Sequence, residues 1–343
     1  MSNQKIIKVS SGDPAYSDLL LRQTVGHLGI WDDCTFEVNN NIEKCDWWFV
    51  LHGSGLVVAE TCLCDPNHIV YVSMEPDEIM SKISHGFLNQ FSRLILCDRA
   101  IKHSDIVYEN WLTWWVGIIV SKNNKKHVFR PNVKIDYDQL SNMESGNKMN
   151  KISLIMSDKD ISDGHKKRIA FVDKMMTLPI SKYIDVFGHG FKPIPDKWSA
   201  IAPYKCHLVL ENSVQKDYWS EKLADSFLGF SYPIYYGCPN IEDYFSRNSM
   251  SIIDIENFDE SIVLLETIID NDIDVKKSLA ICSSRRKILN KYNIFSLMAK
   301  MAQNKATTYE KISLKTNIYF SDSFFKKIIR LLVKKVNKKY DNS

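Results

Sequence analysis

At 343 residues, with 45% apolar and 25% charged side chains, the chain has the composition of an ordinary globular protein and room for two α/β domains. A net charge of +3 is too small to make nucleic acid its main partner. No run approaches the roughly 18 apolar residues of a membrane span, and the polar start MSNQKIIK lacks a signal-peptide core.

The first 120 or so residues alternate strand and helix, which argues for a doubly wound parallel sheet. Strands are expected at Lys5–Val9, Trp47–Leu51, Ile69–Ser73 and Leu94–Cys97, with a helix over Tyr16–Leu28. HGSG at 52–55 offers backbone amides to a ligand or is simply a turn. The stretch SMEPDE at 73–78 puts a carboxylate, Glu75, directly at a strand's C-terminal end. Trp111, Trp114 and Trp115 form either a platform for stacking a sugar or the filling of a core. The eight scattered cysteines, with Cys62-Leu63-Cys64 as their one close pair, read as reduced and mostly buried thiols rather than zinc ligands or disulfides.

Residues from about 121 to 150 are polar and without period, as an interdomain connection should be. The formal DxD patterns at Asp136/Asp138, Asp270/Asp272 and Asp272/Asp274 follow no apolar strand, so no metal is assigned to them. The next domain opens with a strand at Ile152–Met156, a helix over His165–Met176 and a strand at Ile184–Gly188. Near the start of that helix stand Lys166, Lys167 and Arg168, whose default reading is exposed helix cations.

Residues Tyr204–Pro239 then spell strand, loop, helix, strand. Cys206–Leu210 is a short apolar run, Glu211–Trp219 a polar loop, and Ser220 an N-cap before Glu221 and Lys222. Tyr232–Tyr236 is the returning strand. In such a βαβ unit the loop and the helix N-terminus share one crevice, where backbone N–H groups and the helix dipole favour an anion. A lysine there adds a full charge, and a neighbouring carboxylate can hold ribose hydroxyls, which together is nucleoside-diphosphate chemistry. Downstream, a short helix is expected at Asn240–Phe245, a strand at Ser251–Asp254, a helix over Asp259–Ile269 and further helices to about 303.

The tail from Ser321 carries seven basic and two acidic residues, net +5, which leaves the remainder at −2. Phe325, Ile328, Ile329, Leu332 and Val336 fall on one helical face with Lys326, Arg330, Lys334 and Lys338 opposite. A basic amphipathic helix reads as an anchor on an anionic membrane surface, or else as a solvated helix packed on the body.

The string ENSVQKDYWSEKLADSF, followed by PIYYGCPNIEDYF, resembles the donor-binding signature of glycosyltransferase family 10, the α-1,3/α-1,4-fucosyltransferases, whose form is close to FEN-x5-YVTEK and PIYWG-x-P. Leu210 replaces the usual Phe, and Trp219-Ser220 replaces Val-Thr. NQFSRLILCDRAIKH and WLTWWVGI are similar to a bacterial branch of that family. The resemblance covers roughly residues 65–255, with its specific part at 204–245.

It implies a GT-B-like fold of two Rossmann-type doubly wound domains facing a central cleft: an acceptor-side domain at 1–148, a GDP-sugar domain at 149–300, and C-terminal helices with the basic tail at 301–343. It further implies GDP-fucose as donor, an inverting transfer to a glycan hydroxyl, and no cofactor or metal. By this likeness Glu75 is the catalytic base, although Met74 and Pro76 replace the family's neighbours. Arg168 and Lys222 meet the diphosphate, Glu221 binds ribose, and Asn212 and Tyr218 shape the phosphate and fucose pocket. The acceptor would be an oligosaccharide or lipid-linked glycan of surface polysaccharide or lipopolysaccharide. The place would be cytoplasmic, on the inner face of a bacterial membrane. A non-catalytic nucleotide-sugar or glycan-binding protein on the same fold, or a transferase of another GDP-deoxyhexose, stands as the alternative.

Overall fold

A computed structural model describes residues 4–11, 15–51, 56, 58–80, 83–120, 131–158, 162–271, 273 and 275–316. HGSG at 52–55, Asp272, Asp274, the stretch 121–130 and the tail from Ser321 lie outside the described residues. The chain forms two compact units: Met1–Ser17, Asp32–Tyr108 and Ala302–Ser343 make the first, Asp18–Trp31 and Glu109–Met301 the second.

In the first unit, β1 (Lys5–Ser10), β2 (Cys34–Val38), β3 (Trp47–Leu51), β4 (Ile69–Val72), β5 (Arg93–Ile95) and β6 (Ile106–Val107) lie in the order β2-β1-β3-β4-β5-β6, all parallel. β3 and β4 are buried along their whole length, which is why they read as unbroken apolar runs. Trp48, Val50, Tyr71, Leu94 and Phe87 belong to this unit's core. The helix expected over Tyr16–Leu28 stops at Leu21. The chain leaves the helical path at Thr24, which is extended (φ −116°, ψ 158°), and Gly26 (φ 58°) and His27 (φ 59°) in the left-handed region keep the following turn from rejoining it.

In the second unit, β7 (Met149–Ile155), β8 (Ile184–Phe187), β9 (Tyr204–Leu210), β10 (Tyr232–Tyr236) and β11 (Ser251–Ile252) lie in the order β8-β7-β9-β10-β11, again all parallel. Helix α1 (Asp163–Met176) connects β7 to β8, and α2 (Glu221–Leu228) connects β9 to β10. The chain moves one way from β7 to β8 and the other way to β9. The edge between β7 and β9 is therefore the switch point at which such sheets hold ligands.

The division differs from a break near 148 followed by C-terminal helices. Segment 18–31 belongs with the second unit because Arg22, fully buried, donates from Nη1 to the carbonyls of Val116 (2.9 Å) and Ile135 (2.7 Å) and from Nη2 to that of Trp114 (2.5 Å). After the helix Ile294–Met301 the chain returns to the first unit. Lys5 Nζ donates to the Ala302 carbonyl at 2.7 Å, and Trp47 Nε1 to that of Asn304 at 2.8 Å. Glu310–Leu314 is then a strand, paired antiparallel with Glu60–Cys64, where helix was expected.

The tryptophan cluster resolves toward packing. Trp111 and Trp114 are buried, Trp114 in the core of the second unit, and Trp115 is half-buried. Among the cysteines, all but Cys282 are buried.

Candidate functional site

A cavity of about 390 Å³ opens at the β7–β9 switch point of the second unit. Its wall is built by elements whose local sequence explains their placement. Ser162 caps α1 by accepting from the His165 amide. At Gly164 an added Cβ would stand 1.8 Å from the Asn212 carbonyl oxygen, so only glycine lets α1 approach the loop after β9 this closely. At Gly188 (φ +119°) a Cβ would meet the Met156 carbonyl at 2.0 Å, so the β8 turn also needs glycine.

Arg168 is 3% exposed and lines the cavity. Its Nη1 donates to the Leu210 carbonyl at 3.0 Å, while Nε has no protein partner among the described residues. Burial lowers its pKa, and the charge of Glu211 opposes that. The two competing cations are turned outward: Lys166 pairs with Asp163 at 3.7 Å, and Lys167 with Glu256. Asn212 Oδ1, also on the cavity, is likewise buried with no protein partner among the described residues. Buried polar groups are nearly always paired, with protein or with ordered water, so these two atoms leave hydrogen-bonding capacity on one wall open to water or to a ligand.

The start of α2 is organised by a residue to which the sequence reading gave no role. Glu211 is fully buried; its Oε1 accepts from the Ser220 amide at 2.8 Å and its Oε2 from the Ser220 hydroxyl at 2.7 Å. Lys222 Nζ stands 3.3 Å from the same carboxylate and 3.6 Å from Glu221 Oε1. Glu221 is also 3.1 Å from Lys197 Nζ, which reaches 3.2 Å to Asp225 Oδ2. Burial alone would raise the Glu221 carboxyl, but the charges of Lys197 and Lys222 outweigh it and hold the group well below the usual range. Burial dominates at Asp225 and raises it against the pull of Lys197. Behind these groups His207 is buried, shares a 2.8 Å hydrogen bond with Ser153 Oγ, and is pushed down to about 3 by burial and by Lys197, so it is neutral.

Thus Arg168, Asn212, Glu221 and Lys222 line one cavity. Tyr218 is placed differently: 5% exposed, it is not part of that lining. Glu75 belongs to the first unit, just beyond β4, half-buried, with its amide donating to Ser73 Oγ at 3.2 Å. Sequence reasoning missed Glu211, Lys197, Asp225 and His207. A signal for one was present, since Glu221 and Asp225 at i and i+4 put two carboxylates on one helix face, and such a pair calls for a cation between them.

A cavity lined by three cations, Arg168, Lys197 and Lys222, with a held carboxylate and unpaired polar atoms at a helix start is suited to a phosphorylated, hydroxyl-bearing ligand. Known proteins resemble parts of the chain. Residues 146–278 match the family model described as glycosyltransferase family 10 (fucosyltransferase) C-term. The α-(1,3)-fucosyltransferase FucT of Helicobacter pylori is 31% identical over 100 residues, which are 28% of this chain and 20% of that protein, so the match spans one fifth of the relative's length. Among solved structures, an α1,3-fucosyltransferase with GDP-fucose aligns at TM-score 0.48 and 15% identity, over 90% of this chain and 92% of that one. Anabaena HepE in complex with UDP aligns at 0.42 and 10%, over 88% and 98%. The segment that matches the glycosyltransferase family 10 model, residues 146–278, is the one that builds the cavity.

Proposed function

We propose that the chain is an inverting glycosyltransferase that moves L-fucose from GDP-fucose to a hydroxyl of a glycan acceptor, in the manner of an α-1,3-fucosyltransferase. The observation that carries this reading is the convergence on one cavity of a buried arginine with an unpaired Nε and the Glu221–Lys222 pair at the start of α2. The family match of the same segment supports the donor class.

In this reading Arg168 and Lys222 meet the diphosphate, and Glu221 accepts from the ribose hydroxyls. Asn212 offers its open Oδ1 to the donor, and Tyr218 supports the pocket from behind. The acceptor oxygen attacks the anomeric carbon as the bond to the β-phosphate oxygen breaks, and the electron pair leaves with GDP. The acceptor proton passes to Glu75, the general base. Charge developing on GDP is met by preorganised cations, the term that dominates such transfers. Because Arg168 and Lys222 supply that charge, the proposal includes no metal. The acceptor is an oligosaccharide or lipid-linked glycan of surface polysaccharide or lipopolysaccharide, met at the inner face of the membrane through the basic tail.

The test is transfer from radiolabelled GDP-fucose to a panel of galactose- and N-acetylglucosamine-terminated acceptors, with and without EDTA. Label should move at equal rates in both conditions. Restoration by manganese after an EDTA loss would overturn the metal-free part. GDP binding without transfer to any acceptor would favour a binding protein, and no GDP binding would overturn the site.

A further inference from the structure

Lys197 reaches the cavity from the loop between β8 and β9, and no sequence motif marks it. Its ammonium stands between two carboxylates of α2, 3.1 Å from Glu221 Oε1 and 3.2 Å from Asp225 Oδ2. The two are held differently. Asp225 is completely buried, and its Oδ1 accepts from the amides of Trp115 at 2.9 Å and Val116 at 3.3 Å, so it is fixed from the backbone side. Glu221 is one turn nearer the helix start, partly exposed, and its Oε1 is also 3.6 Å from Lys222.

Without the ammonium, Glu221 would face a buried Asp225 on the same helix face, with nothing between two like charges. In a site of low dielectric one of them would then take a proton or swing away. Lys197 thus has an anchor on one side and a functional carboxylate on the other.

We infer that Lys197 is a positioning residue for the nucleotide: braced on Asp225, it keeps Glu221 ionised and directed at the ribose hydroxyls. This rests on the reading of the cavity as a GDP-sugar site. Lys197 acts through Glu221 in this account, so its loss is felt where Glu221 acts and not at the phosphates. The intact network also explains why a buried Asp225, whose ion pair among the described residues is with Lys197, is tolerated in α2.

The distinguishing experiment is calorimetry with GDP and with 2′,3′-dideoxy-GDP, on the wild-type protein and on Lys197→Met and Lys197→Arg, with thermal melts alongside. A hydrogen bond from hydroxyl to carboxylate is worth about tenfold or more in affinity, so the wild type should prefer GDP by at least that factor. Lys197→Met should reduce the preference to within about threefold while leaving dideoxy-GDP affinity nearly unchanged, and Lys197→Arg should restore it. Equal weakening of both nucleotides would overturn the inference, since that is the signature of a direct phosphate contact or of general damage. So would an undiminished preference in Lys197→Met. If the methionine variant does not fold, Lys197→Gln, which keeps a donor without the charge, takes its place with the same expectation. Failure of the underlying site reading looks different: the wild type itself would then bind neither nucleotide, or bind both alike.

Discussion

Glu211 and Lys222 divide the work at the start of α2. The carboxylate already receives the amide and hydroxyl of Ser220, so it stays satisfied when the lysine is removed. Lys222→Ala should therefore fold, and should weaken GDP binding by roughly 10- to 150-fold, the loss of one charge-assisted contact. An unchanged dissociation constant in calorimetry would remove the diphosphate from this helix. Glu75→Gln should do the reverse, leaving GDP affinity near wild type while turnover falls by about 10²-fold or more, the usual contribution of a general base. A transfer rate within a few-fold of wild type would discard Glu75 in favour of Glu78. Contiguity decided which of these residues could be read in advance. Asn212, Glu221 and Lys222 sit in one unbroken string with the βαβ elements that present them. Arg168 could be separated from Lys166 and Lys167 only by the fold, which buries the one and turns the others to solvent. Lys197 follows a proline-rich loop with no period at all, and its role arises from a helix more than twenty residues away.

At the scale of elements, short-range signals were honoured and long-range ones were not visible. Ser220 caps α2 as its position before Glu221 suggested, and Tyr232–Tyr236 is the strand the apolar run described. The strand Glu310–Leu314 pairs with Glu60–Cys64, and no local pattern announces a partner so distant in sequence. Close approach of α1 to the β9 loop is a further tertiary fact, and it makes a test. Gly→Ala inside a helix ordinarily stabilises by up to about 1 kcal/mol. At Gly164 the added carbon would lie 1.8 Å from the Asn212 carbonyl, so the helix or the loop must shift. Gly164→Ala should then lower the melting temperature, with a cost of about 1–3 kcal/mol typical of overpacking, and weaken GDP binding because Asn212 and Arg168 both hang on that junction. A raised melting temperature with intact GDP affinity would show that the junction yields freely.

For the whole molecule, two parallel-sheet units were legible from the alternation of strands and helices, but their boundaries were not. Buried Arg22 ties 18–31 to the second unit, and Lys5 and Trp47 bring the chain after Met301 back to the first. Contacts of that kind join residues about a hundred to three hundred positions apart and leave no mark on composition. Charge, by contrast, is a property of the sequence as a whole, and it is segregated: residues from Ser321 carry +5 while the rest carry −2. Each basic residue close to an anionic bilayer contributes roughly 1 kcal/mol, and the attraction fades beyond a Debye length of about 8 Å at physiological salt. Deleting 321–343 should consequently release the protein from phosphatidylserine-containing vesicles in co-sedimentation, while transfer of fucose to a soluble acceptor continues. Binding of the full chain should also fall steeply as salt is raised. The opposite reading, a tail packed on the body, makes a different demand: truncation would then lower the melting temperature and reduce transfer to every acceptor alike. Running both assays on one truncated protein separates them, because loss from vesicles with full soluble activity fits only the membrane anchor, and an inactive or insoluble truncate fits only the packed tail.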